Sequence, residues 1–296
     1  MKLRIGTRRS PLALAQATEV ADRLIASGVD AELVGITTSG DRNVEVTGPA
    51  GLKGMFVAEI VRALHEGEVD LAVHSAKDLP AEDEDGLVIG AVPERASPLD
   101  VLVTRDGELR PGGIVGTSSL RRQAQIFRWR PDVLLNDLRG NVDTRLRKLH
   151  EGGVDAIVLA AAGLTRLGIV PEHAAPMSVA EMIPAPGQGC LALQARANDE
   201  DTLSALGALD HAESRTALAA ERSLMLRLGG GCALPLGAFA DVREGRVRLV
   251  AAVFTPEGAR EARTTVEGDD PLEVAERAAL ALRAEGADEI LAAVRP

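Results

Sequence analysis

Three groups of residues in this 296-residue chain combine the types and spacing needed for chemistry. The first is a thiol on a glycine-rich bend, Leu228-Gly-Gly-Gly-Cys232-Ala-Leu-Pro-Leu-Gly237. Three glycines remove side chains from the approach to the sulfur and let the backbone take dihedrals that other residues avoid, so a ligand can come close. A bare thiol there suits covalent attachment; a glycine helix cap followed by a small buried cysteine is the competing reading. The second group is Lys77-Asp78, which follows the apolar run Val69-Asp-Leu-Ala-Val-His74. An acid just beyond the carboxyl end of a strand in an open α/β sheet stands where ligands usually bind and is a candidate general acid or base. A surface Lys-Asp turn ahead of Pro80 would look the same. The third is a basic island between Gly116 and His150, with Arg121, Arg122, Arg128, Arg130, Arg139, Arg145, Arg147 and Lys148 against Asp132, Asp137 and Asp143. In a chain of net charge −11, such an island points to an anionic ligand, with a solvated helix face as the alternative.

Composition limits what that anion can be. With no Tyr, one Trp (Trp129) and four Phe, the cores must be aliphatic, and stacking platforms for single-stranded nucleic acid are nearly absent. That and the acidic balance argue against a nucleic-acid partner. The length fits two or three domains. Two cysteines give no disulfide framework and fit a reducing compartment. Met1 to Ser10 has charges at short intervals and no unbroken apolar stretch, so neither a signal peptide nor a membrane span is expected there, and the expected location is cytoplasmic. The five histidines show no metal-ligand spacing with the cysteines, and no metal is expected.

The elements that would carry these groups form a repeat. Residues 3–7 read as a strand; Ser10-Pro11 is an N-cap with an N1 proline; residues 12–26 read as a helix ending at Gly28, and residues 31–37 as a parallel second strand. A loop over 40–51, an amphipathic helix over 55–65 and a buried strand over 69–74 follow. From about Ile114 the pattern returns. Ile5-Gly6-Thr7 is echoed by Val115-Gly116-Thr117, Leu52-Lys53-Gly54 by Leu138-Arg139-Gly140, and Leu64-His-Glu-Gly67 by Leu149-His-Glu-Gly152. Two α/β lobes of one design with a cleft between them are expected, with hinges at Pro93 to Pro98 and Pro184 to Gly189. Lys77-Asp78 is matched in the second half by Ala162-Gly163, so one lobe alone carries the charged pair. After Gly189 the period changes. A helix over 211–228 delivers the Cys232 loop, three strands at 236–242, 246–254 and 260–267 are joined by short turns, and helices over 271–284 and 288–294 close an α+β unit.

Taken together, Thr7-Arg-Arg-Ser-Pro-Leu-Ala-Leu-Ala-Gln16, Lys53-Gly-Met-Phe56, His74-Ser-Ala-Lys-Asp-Leu-Pro80, Gly116-Thr-Ser-Ser-Leu-Arg-Arg-Gln123, Leu138-Arg-Gly-Asn-Val142, Ala162-Gly-Leu-Thr-Arg-Leu167 and Gly230-Gly-Cys-Ala-Leu-Pro-Leu-Gly237 closely resemble the porphobilinogen deaminase family, in order and at fitting spacing from residue 3 to about 254. The resemblance implies two repeated α/β lobes like those of type II periplasmic binding proteins and a small C-terminal α+β domain with an antiparallel sheet. The divisions are 1–93 with about 189–210, 98–186 and 211–296. It implies head-to-tail condensation of four porphobilinogen molecules with ammonia release to give hydroxymethylbilane, primed on a dipyrromethane cofactor linked by a thioether to Cys232, in a monomer.

By the same resemblance Asp78, with Lys77, is catalytic. A carboxylate near pyrrole nitrogens can stabilise the positive charge that develops there and move protons. Each ring bears an acetate and a propionate, which arginine's planar fork can pair bidentately. The residues implied to hold cofactor and chain are Cys232, Arg8, Ser10, Lys53, Lys77, Asp78, Thr117, Ser118, Ser119, Arg121, Arg122, Arg139, Arg145 and Arg166. Ala58 stands where many members have a second lysine, and Ala233 where polar residues are common; Cys190 reads as a core residue. A solute-binding module and a nucleic-acid-binding protein are the rival readings. Cys232 on a third domain counts against the first, and the acidic, aromatic-poor composition against the second.

Overall fold

The computed structural model describes residues 1–37, 57–229 and 234–294. Lys53, Cys232, Ala233, the whole 40–51 loop and the start of the expected 55–65 helix lie outside the described residues. The first sheet begins with β1 (Lys2–Arg8), α1 (Pro11–Ala26) and β2 (Asp30–Ile36). Ser10 caps α1 by accepting a 3.3 Å bond from the Ala13 amide, and Pro11 occupies the first turn, where its missing N–H costs nothing. Ala17, Val20, Ala21 and Leu24 recur at helical spacing and bury one face of α1 on the sheet. Then come α2 (Ala58–His65), β3 (Leu71–Ser75) and β4 (Leu87–Ala91).

The second sheet is built from β5 (Asp100–Thr104), β6 (Ile114–Gly116), α3 (Leu120–Trp129), β7 (Leu134–Asn136), α4 (Val142–His150), β8 (Ala156–Ala160), α5 (Ala161–Arg166) and β9 (Ala174–Pro176). After it the chain returns through β10 (Leu191–Arg196) and α6 (Glu200–Gly207). The strand orders are β2-β1-β3-β10-β4 and β7-β6-β8-β5-β9, the same arrangement twice. Neither sheet is wholly parallel. β10 runs antiparallel between β3 and β4, and β5 runs antiparallel between β8 and β9. The reversed strand of each sheet is the one that follows a crossing, so each crossing is anchored by main-chain bonds in the lobe it enters.

The third unit comprises α7 (Ala212–Arg227), β11 (Leu236–Arg243), β12 (Arg246–Phe254), β13 (Glu261–Gly268), α8 (Pro271–Ala284) and α9 (Ala287–Ala292). Its strands pair β11-β12-β13, all antiparallel, and α7 and α8 cover one face through Leu224, Val274, Ala278 and Leu282. The last helix starts one residue before its sequence expectation because Gly286, at φ +90°, ends the preceding turn.

The two crossings lie side by side: the Ala96 amide donates to the Gly189 carbonyl at 3.3 Å. Into this junction α7 inserts Glu221, which is fully buried. Its carboxylate accepts from Arg95 Nη1 at 2.7 Å, the Gly187 amide at 2.6 Å and the Ala240 amide at 2.7 Å. One carboxylate thus ties both crossings to the third unit. Arg95 also donates to the Gln188 carbonyl and lies 5.1 Å from the centre of the Phe239 ring. Burial works against the Arg95 charge, yet Glu221 keeps that guanidinium above its ordinary value.

Candidate functional site

Asp78 closes a single 3-10 turn, Ala76–Asp78, that caps the carboxyl end of β3. The turn is fixed from three sides. The Ala76 amide donates to the Cys190 carbonyl at 3.0 Å, the Leu79 amide returns to the Ala76 carbonyl at 3.2 Å, and Gln16 of α1 donates to Ser75 Oγ at 2.7 Å. Behind it the backbone of Gly187 passes so closely that a β-carbon there would sit 2.9 Å from the Lys77 nitrogen. Glycine at 187, φ +73°, is therefore required by its contact with the Ala76–Asp78 turn as well as by its own conformation. Lys77 Nζ reaches Gln188 Oε1 at 3.5 Å. His74, on β3 beneath the turn, is buried; that burial pushes its imidazole down from 6.5 to about 4, and the nearby Gln194 side chain and Asp78 charge oppose the drop only in part. His74 is thus neutral at physiological pH.

Opposite this turn lies the second lobe's strand-end surface. The amino terminus of α3 presents Ser118 and Ser119 half-buried, with Ser119 at the N-cap and making no side-chain cap bond; Thr117 is buried and accepts from the Ser119 amide through Oγ1 at 3.2 Å. Arg145 of α4 donates from Nε to the Gly140 carbonyl at 2.7 Å. Burial, then the charge of Arg122, lowers the Arg145 guanidinium to about 10, while the charges of Asp78 and Asp137 act to raise it. The charge of Asp78, from the first lobe, thus lies near enough to bear on Arg145 of the second. Arg139 is exposed beside Asp137 at 3.1 Å. Arg8 ends β1 next to α1, and the Ser10 hydroxyl is engaged as the α1 cap.

The basic island resolves into unlike parts. Arg121 and Arg122 are buried, with side chains turned to Asp100, the fully buried first residue of β5. Arg121 Nη1 stands 2.8 Å from Asp100 Oδ2 and donates to the Ile183 carbonyl; Arg122 Nη2 reaches Asp100 Oδ1 at 2.7 Å, and its Nη1 the Val158 carbonyl. Burial pushes the Asp100 carboxyl up, but the two guanidiniums outweigh it and hold it well below the usual carboxylate range. Arg128 pairs with Glu261, Arg130 with Asp132 and Arg147 with Glu151. Arg166, at the end of α5, bonds Glu19 of α1 at 3.1 Å and the Gly189 carbonyl at 3.2 Å. Lys77 and Asp78 thus follow the carboxyl end of β3, and Ser118 and Ser119 that of β6, with Arg145 on α4 under the influence of the Asp78 charge, whereas Arg121, Arg122 and Arg166 are engaged with the protein's own carboxylates.

Asp100, Gln188, Glu221 and Glu19 escaped the sequence reading. Asp100 had a signal: a lone acid at the head of the otherwise apolar run Val101 to Val103 must meet a cation when the strand is buried. Gln188 is almost completely buried and spans the junction, its Nε2 donating to Asp100 Oδ1 at 3.0 Å and to the Pro98 carbonyl at 2.8 Å. Cys190 is a core residue whose thiol burial pushes up to about 12. Among the described residues no group of three or more His, Cys, Asp or Glu could hold a metal ion, and no helix is long and apolar enough to cross a membrane.

Fold and site define a class: a two-lobed α/β protein, crossed over twice and joined to a small α+β unit, with an acid at one sheet end and arginines in the other lobe. Comparison with known proteins makes the class particular. The family model "Porphobilinogen deaminase, dipyromethane cofactor binding domain" matches residues 3–204, and "Porphobilinogen deaminase, C-terminal domain" matches residues 216–285. A porphobilinogen deaminase of Brevibacillus brevis is 49% identical over 99% of this chain and 97% of that protein. One from Desulforudis audaxviator is 48% identical over 98% and 97%. Among solved structures, the methionine binding protein MetQ matches at 14% identity and a TM-score of 0.43, over 75% of this chain and 94% of that one. The chain belongs to the porphobilinogen deaminase family: it is a transferase that takes porphobilinogen as substrate, uses a dipyrromethane cofactor and makes hydroxymethylbilane.

Proposed function

We propose that condensation takes place between the two sheet ends, with Asp78 as the catalytic carboxylate, Lys77 beside it, and Arg145 with Arg139, Ser118 and Ser119 binding ring carboxylates. What supports this is placement: Lys77 and Asp78 follow the carboxyl end of β3, Ser118 and Ser119 follow that of β6, and the Asp78 charge bears on Arg145. A dipyrromethane fits here. It is a polyanion, and the half-buried Arg145 guanidinium, under pressure from burial and from Arg122, gains from any further anion. Arg8, Ser10, Thr117, Arg121, Arg122, Arg166, Lys53 and a thioether to Cys232 complete the proposed set, the last two by resemblance alone. When bound, the cofactor supplies the pyrrole carbon to which each new ring joins.

The chain's own residues have separate tasks in this reading. Asp78 holds developing positive charge at pyrrole nitrogens and accepts or returns a proton there. The neutral His74 beneath it brings no cation to compete for that carboxylate. Lys77, held toward Gln188, balances the acid when no pyrrole is present. Arg145 and the α3 amino terminus fix ring position through charge-assisted bonds, each worth roughly 1.5–3 kcal/mol. The three units correspond to 1–93 with about 189–210, 98–186 and 211–296, and Glu221 locks the third to both crossings. The protein acts as a monomer in this reading. Two cysteines in the whole sequence support a cytoplasmic setting.

Asp78→Asn tests the assignment. Folding should survive, because the turn is held by backbone bonds and Ser75. Turnover of porphobilinogen should fall by about 10²–10⁴, the usual worth of a positioned acid or base. Near-normal turnover would remove Asp78 from the mechanism.

A further inference from the structure

Arg166 is held by a carboxylate from the other lobe. Its side chain is 8% exposed, its Nε lies 3.1 Å from Glu19 Oε2, and its Nη2 lies 3.2 Å from the Gly189 carbonyl at the second crossing. Glu19 is on α1, one helical turn after Gln16, which binds Ser75 at the start of the Asp78 turn. The same face of α1 therefore touches the catalytic turn through Gln16 and the second lobe through Glu19. The two helices also pack: a β-carbon on Gly163 of α5 would lie 3.8 Å from Leu12 Cδ2 of α1.

Glu19 has a second partner. Its other oxygen, Oε1, accepts from Arg23 Nη2 at 2.8 Å, one turn further along α1 and 43% exposed. Glu19 can thus leave Arg166 without becoming an uncompensated charge, because Arg23 stays with it in a partly hydrated position. Arg166 has no such reserve: without Glu19 its near-buried guanidinium keeps, of the partners named above, only a carbonyl, a state that costs far more than an exposed ion pair is worth. The asymmetry favours exchange, in which an incoming carboxylate replaces Glu19 on Arg166 while Glu19 falls back on Arg23.

We propose that Glu19 is an internal stand-in for a pyrrole carboxylate, keeping Arg166 charged, oriented and neutralised between binding events and setting the affinity for ring carboxylates by competing with them. The proposal rests on the assignment of Arg166 to carboxylate binding. It makes Glu19 an affinity-determining residue that never touches the reacting carbons.

The test is steady-state kinetics with porphobilinogen on the holoenzyme, comparing wild type with Glu19→Gln, Arg23→Gln and Arg166→Gln. Glu19→Gln keeps the shape and a hydrogen-bonding oxygen but removes the competing charge; KM should fall by about 3- to 10-fold with kcat within twofold. Arg23→Gln leaves Glu19 with Arg166 alone, so KM should rise by about 2- to 5-fold. Opposite shifts from two neighbours on one helix are not expected of a merely structural clamp, whose loss would lower kcat or stability in both. A KM in Glu19→Gln that is unchanged or raised would overturn the proposal. Were that variant not to fold, an unchanged KM in Arg23→Gln would do so. If Arg166→Gln left KM unchanged, the fault would lie in the assignment of Arg166, and the stand-in role would fall with it.

Discussion

Asp100→Asn is a change of one heavy atom that removes the carboxylate serving two buried arginines. Asparagine preserves the shape, but its amide cannot neutralise Arg121 Nη1 at 2.8 Å and Arg122 Nη2 at 2.7 Å, and its NH2 would meet either a guanidinium or Gln188 Nε2, now 3.0 Å from Oδ1. The two arginines are 4% and 6% exposed, so water cannot take over. Removing one partner of a buried pair costs about 3–5 kcal/mol; with two cations stranded, the upper end applies. Total stabilities of roughly 5–15 kcal/mol make that a large fraction. Urea titration at neutral pH, with amide exchange read on β5 and α3, should show the second lobe opening first. The pH dependence has a definite sign. The native Asp100 carboxyl lies below its ordinary value, so its contribution is present above that value and is lost as pH falls through the lower, native one. The gap between wild type and variant should persist from neutral pH to below pH 4. A loss under about 1 kcal/mol, or a gap that closes near pH 6, would refute the reasoning.

Two further outcomes follow from the turn that carries Asp78. His74 is held neutral, with a native value of about 4 against 6.5 when unfolded; the unfolded chain binds the extra proton in that window, so stability should decline as pH drops from about 6.5 to 4, by roughly 3 kcal/mol at about 1.4 kcal/mol per pH unit. His74→Gln should flatten that part of the stability profile, and an unchanged profile would count against burial as the cause. Gly187→Ala puts a methyl against the Ala76–Lys77 backbone at 2.9–3.0 Å and strains a φ of +73°; a loss of about 1–3 kcal/mol by thermal melting is expected, with a turnover loss larger than that alone explains, because the turn bearing Asp78 is displaced.

The lobes were legible in the sequence because each repeats the same order of glycine, helix and strand signals, and strand alternation marked the third sheet. What sequence could not show was which strand closes each sheet. β10 and β5 look like ordinary apolar strands, and their antiparallel insertion depends on two crossings that bring together segments far apart in the chain, such as Leu191 with Ser75 and Asp100 with Ala160. The site was legible in its types and less so in its pairings. Asp78 could be placed at a strand end from Val69 to His74 alone. The basic island was read as one surface because its local acids are few, whereas Arg121, Arg122 and Arg128 find Asp100 and Glu261, which are distant in sequence. A charge count along the chain sees neighbours in sequence; burial decides by neighbours in space.

The most direct test of the whole account is the intact mass of the purified protein beside that of Cys232→Ser, each also stained with an Ehrlich-type reagent. Wild type should carry one covalent dipyrrole and give the colour, gaining successive pyrrole units when mixed with porphobilinogen, while Cys232→Ser should have the bare chain mass and no colour. A wild-type protein of bare mass, or a Cys232→Ser protein that still carried the dipyrrole, would contradict it.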